Sequence, residues 1–100
     1  MGQEIKDFQS GWRTAEVVAV GRADQIVQKG YTDCRRNAER YELQASQYAA
    51  LTYHLGTRQH WHIVKVSPGA EIAPGDRVRA NVEQCNLPLY SLPQIQPRPL

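Results

Sequence analysis

Cysteine, methionine and phenylalanine are nearly missing from this 100-residue chain, which holds two, one and one of them. Two thiols alone cannot make a structural zinc site, and neither Cys34 nor Cys85 lies in a Cys-x-x-Cys pattern or close to a histidine. No apolar run approaches the roughly 18–20 residues that a membrane-spanning helix needs. Charge of one sign is lacking too: 12 Lys and Arg against 10 Asp and Glu leave a net charge of +2, and Arg35-Arg36 is the only adjacent basic pair. That is far from the basic footprint of a dedicated nucleic-acid binder. The chain has no Gly-x-Ser-x-Gly, no phosphate-cradling glycine loop, no His-Glu-x-x-His and no carboxylate pair set for acid–base work. No catalytic residue is assigned, no cofactor is expected, and the reading is non-enzymatic.

What the chain does have is alternation. Leu51, Tyr53 and Leu55 alternate with Thr52 and His54; after Gly56, Trp61 and Ile63 alternate with His60 and His62. Period-two patterning on both sides of a glycine break predicts a β-hairpin. Two registers compete. A two-residue Gly56-Thr57 turn of type II′ pairs Leu55 with Arg58 and Tyr53 with His60. An odd-length loop pairs Tyr53 with Trp61 and Leu51 with Ile63, which gives one clean apolar face. Register follows the buried face, so the odd loop is expected. His54, His60 and His62 then share the opposite face, where three imidazoles suit zinc or copper. No carboxylate lies nearby in sequence to complete or orient such a site, and the competing reading is a solvated polar face.

Around this hairpin the chain reads as 1–11 flexible N-terminal arm, 12–86 single β-domain and 87–100 proline-rich tail. Trp12–Val20 predicts a first strand, with Val17-Val-Ala-Val20 buried on both sides. Asp24–Cys34 predicts a second, joined to the first as a hairpin and interrupted at Gly30. The 36–46 connection has the composition for a short helix, with Asn37 as a candidate cap. Two Pro-Gly turns lead to a last strand over Asp76–Glu83, with Val78, Ala80 and Val82 inward and Arg77, Arg79, Asn81 and Glu83 outward. The sum is an all-β domain, a small antiparallel barrel or sandwich of about five strands, SH3-like or OB-like. Cys34 and Cys85 each end a strand-like segment, so a disulfide is expected, closing a loop of about 50 residues worth on the order of 4 kcal/mol. The alternative is two unrelated buried thiols.

The run Tyr48-Ala-Ala-Leu-Thr-Tyr53, then Arg58, His62-Ile-Val64 and Pro74-Gly-Asp-Arg-Val-Arg-Ala-Asn-Val82 resembles the C-terminal β-module of bacterial glycine-zipper outer-membrane lipoproteins. The stretch from Val17 to Arg35 is similar to the region before the zipper in some members. The zipper itself is absent, since 35–47 hold no glycine. The resemblance implies a periplasmic or envelope structural or protein-interaction domain with no catalysis. It also implies Met1 in place of a signal sequence, and the location is otherwise cytoplasmic. A protein partner or self-association is expected, with envelope components as candidates. The alternative is an OB-like domain that binds single-stranded nucleic acid through Tyr48, Arg58, Arg77 and Arg79.

Overall fold

The computed structural model describes residues 8–30 and 32–92. Among the described residues six strands form one mixed sheet: β1 (Trp12–Arg22), β2 (Thr32–Asp33), β3 (Gln47–Leu55), β4 (Arg58–Lys65), β5 (Arg77–Asn81) and β6 (Tyr90–Ser91), in the order β2-β4-β3-β1-β5-β6. All neighbours are antiparallel except β2 and β4, which run parallel. The all-β class stands. The closed barrel does not: β2 and β6 are the two edges and do not pair with each other.

β1 organises the sheet. Its first half, Trp12 to Glu16, pairs with β5; its second half, Glu16 to Arg22, pairs with β3. A register shift between Val17 and Ala19 lets the strand bend between these neighbours. The bend also explains the unbroken Val17-Val-Ala-Val20 run. Val17 and Val20 point into one apolar cluster, Ala19 into the other, and Val18 lies exposed at the shift.

Both faces of the central strands are therefore buried. On the first, Ala15, Val17, Ala49, Leu51, Tyr53, Val64, Val78 and Ala80 are covered by Cys34, Val66, Val82 and Leu89. On the second, Tyr48, Ala50 and Ile63 pack under Ile26 and Leu43. Leu43 comes from α1 (Arg40–Ala45), the only α-helix longer than a turn among the described residues. Fully burying a side chain such as Leu51 or Ile63 stabilises the fold by about 1.5–3 kcal/mol.

The predicted second strand is mostly something else. Ala23–Gln25 is a 3-10 turn, 26–30 is irregular, and only Thr32–Asp33 pairs, with β4 rather than β1. The reason is Arg35. Its Nε and Nη2 grip both oxygens of Asp33 at 2.9 and 2.7 Å. Nη1 donates to the carbonyls of Ala23 and Ile26 at 2.8 Å, and Nη2 to that of Gln28 at 3.0 Å. Carbonyls that a hairpin ladder would need are thus taken by a side chain, and the segment is held over the second face as a strap. The two Pro-Gly turns form as expected: Ser67–Ala70 and Ala73–Asp76 each close on an i to i+3 hydrogen bond, with Gly69 and Gly75 at positive φ. β6 falls in the segment read as a tail, and Leu89 beside it is buried.

Candidate functional site

The hairpin turn is Gly56-Thr57, with Gly56 at φ 62°, and the pairs are Leu55 with Arg58, Tyr53 with His60 and Leu51 with His62. The odd-loop register expected from the apolar alternation is therefore wrong. Its premise fails because both faces of this hairpin are buried toward the body, so alternation does not mark a single inner face. Pairing Tyr53 with His60 carries no penalty either, since their rings stack at 5.5 Å between centroids.

The register disperses the histidines. His60 and His62 share the Leu51–Tyr53 face, and His54 points to the other. No group of three His, Cys, Asp or Glu side chains gathers for a metal among the described residues. His62 is an interior residue with zero exposure. Its Nδ1 lies 2.6 Å from the Thr32 hydroxyl and 3.2 Å from the Thr32 carbonyl oxygen. The Thr32 hydroxyl can donate to Nδ1 or accept from it, and the carbonyl only accepts, so Thr32 anchors the Nδ1 side of the ring in either tautomer. Burial pushes this imidazole below the ordinary histidine range, against the opposing pull of the Thr32 backbone, the Asp33 charge and the Asn81 backbone.

Cys34 and Cys85 stand at disulfide distance, with Cα atoms 5.6 Å apart. Cys34 directly follows edge strand β2, and Cys85 lies in the connection that precedes edge strand β6. The bond therefore ties together the two ends of a sheet that hydrogen bonds leave open.

The four residues expected to hold nucleic acid are not brought together. Tyr48 is buried under the strap and α1, 1% exposed, and offers no ring for stacking. Arg58 sits at the hairpin tip on the Tyr53 side. Arg77 and Arg79 do share a surface, the uncovered half of the second face, with Trp12, Thr14, Glu16, Thr52, His54 and Tyr90. There Arg79 donates to the Thr14 hydroxyl at 3.1 Å, and the Trp12 and Tyr90 rings meet at 5.8 Å, tilted by 53°. Sequence reasoning missed both aromatics. Trp12 was legible as the outward residue two before Thr14, but Tyr90 depended on a strand that two residues do not announce.

Asn81, read as outward, is 1% exposed. Its amide donates to the Ser10 carbonyl at 2.8 Å, and its oxygen accepts from the Glu83 and Gln84 amides, both at 2.9 Å. It ends β5 and fixes the path toward Cys85.

Fold and site together define a class: an open, two-faced β-sheet domain stapled across its edges by a disulfide. Compared with known families, with characterised proteins and with solved structures, the chain matches none. No described helix is long and apolar enough to cross a membrane.

Proposed function

We propose that this protein is a non-enzymatic interaction domain of the bacterial envelope, related in kind to the β-modules of glycine-zipper lipoproteins. The observation that carries the reading is the Cys34–Cys85 bond, because disulfides persist in oxidising compartments such as the periplasm. A protein partner or a second copy would add a strand at the outer edge of β4. β2 pairs with that edge at His62 and Ile63, and the edge runs on toward the hairpin tip at Arg58 and Gln59. The test is the intact mass of the non-reduced protein, prepared under thiol-blocking conditions and alkylated with and without prior reductant. Both cysteines are expected to resist labelling until reduced. Labelling of both without reductant overturns the envelope reading.

A second reading is favoured by the uncovered half-face, where the Trp12–Tyr90 pair stands beside Arg77 and Arg79. Bases stacked on the rings and phosphates on the guanidinium groups would make it a single-strand nucleic-acid surface. Anisotropy of a labelled oligothymidine should then show binding that weakens steeply with salt and is lost in Arg77→Ala. Salt-independent or absent binding removes this reading.

A further inference from the structure

Beside the disulfide lies a cavity of about 400 Å³, between the 3-10 turn at Cys34–Asn37, α1, the β3–β4 pair and the 85–88 segment. Small-molecule sites are of this size, and they combine apolar walls with a few convergent polar groups. Here the apolar part includes the disulfide with Leu87 and Pro88, and the polar part includes Glu42, Lys65 and Tyr48.

Each polar group has something left to give. Glu42 Oε2 and Lys65 Nζ are 3.5 Å apart, with side chains 29% and 42% exposed. That separation is longer than a good hydrogen bond, and a pair so exposed contributes little to stability. The two charges can be parted at small cost. Tyr48 is 1% exposed, and its hydroxyl has no hydrogen-bond partner. Burial, and then the Glu42 charge, raise its pKa above the ordinary tyrosine value, so the hydroxyl keeps its proton and remains a donor. A buried hydroxyl left unsatisfied is an uncommon feature in a native fold and calls for an explanation. Opposite charges a few ångströms apart, an unused donor and an apolar wall are the complement of one kind of molecule.

We propose that this cavity binds a small zwitterion of the free amino acid or dipeptide class. As the Glu42–Lys65 pair opens, the ligand carboxylate takes Lys65 and reaches the Tyr48 hydroxyl, which is buried in the free protein; its ammonium takes Glu42, and its side chain lies against the disulfide, Leu87 and Pro88. The site is a property of the oxidised fold, since one wall is the disulfide itself. It goes beyond the envelope reading and shares with it only the Cys34–Cys85 bond, which the titration of the oxidised chain holds fixed.

The test is an amide chemical-shift titration of the full oxidised chain with L-leucine and with alanyl-alanine, and with acetate and methylammonium at matched ionic strength. Saturable shifts are expected for the zwitterions at residues 37–42, 65–67 and 85–88, with affinity at least about tenfold above either single-charge ion. Lys65→Met and Glu42→Gln, both at partly exposed positions, should each weaken binding by about tenfold or more. Tyr48→Phe should weaken it by about threefold or more without lowering the melting temperature, because the group removed makes no bond in the free protein. Three results overturn the proposal: no saturable shift up to about 20 mM ligand, acetate or methylammonium binding as well as the zwitterions, or affinity unchanged in Lys65→Met and Glu42→Gln.

Discussion

Lysine would not serve at position 35. The guanidinium has five N–H groups, and the Asp33 carboxylate and the carbonyls of Ala23, Ile26 and Gln28 take all of them. An ammonium at that place reaches at most three partners from a single point. Arg35→Lys is expected to lose about 2–3 kcal/mol in denaturant unfolding, with buried carbonyls of the strap left unpaired. The partner carboxylate adds an acid limb. Burial alone would raise the Asp33 pKa, but the hydrogen bonds from Arg35 and the charges of Arg35 and Arg36 outweigh it and hold it below 3.8. The unfolded chain therefore takes up this proton first as pH falls. The stabilisation is complete well above pH 3.8 and is lost as pH drops through the lower folded value. His62 produces a second slope at higher pH. Its folded pKa lies below 6.5, so the unfolded state binds the proton first, and stability declines as pH falls from 6.5 toward the folded value. Urea midpoints measured from about pH 8 to about pH 5 should fall in the native protein and flatten in His62→Gln. Parallel curves for the two would mean that the buried imidazole is not the source.

At the scale of elements, the parallel contact of β2 with β4 is one of the two shortest joins in the sheet, with two residue pairs, as many as between β5 and β6. Gly30 leads into it, and a methyl group there would lie 2.8 Å from the Thr32 carbonyl oxygen and 2.9 Å from that of Trp61. Both obstacles are backbone, so the strands must part. Gly30→Ala should cost about 1–3 kcal/mol, and exchange protection should fall across β2–β4 while the β1–β3 amides keep theirs. β3, β4, β5 and both Pro-Gly turns were legible in the sequence, because long alternation and turn chemistry are local signals. The inward positions of Val78 and Ala80 were read correctly for the same reason. β2 was not legible, because what decides 23–33 is a side chain at position 35 capturing carbonyls up to 12 residues away. The hairpin register was misjudged where burial on both faces cancels the usual argument. Of the candidate site, the cysteine pair and the Arg77–Arg79 surface could be read. The burial of Tyr48 and the ring pair of Trp12 and Tyr90 depended on which elements cover which half of a face.

For the molecule as a whole, the disulfide replaces the ladder that would close a barrel. The bridged residues are 51 apart in sequence, so its removal should cost about 3–4 kcal/mol. Urea unfolding of the oxidised protein against Cys34→Ser/Cys85→Ser measures this. The loss should fall hardest on the first-face cluster, where Cys34 itself is a core residue.

The divided pairing of β1 also dictates an order of assembly. The strand nearest the beginning of the chain finds one neighbour in residues 47–52 and the other only in 77–81. No local hairpin can nucleate it, and the loops that must close around it are long. While the chain is being made or threaded, this β-prone stretch has no partner until residues 47–52 appear, and its Trp12–Glu16 half stays open until residues 77–81 follow. Protecting Trp12–Arg22 during that interval is therefore as much a condition of reaching the native state as any contact within it.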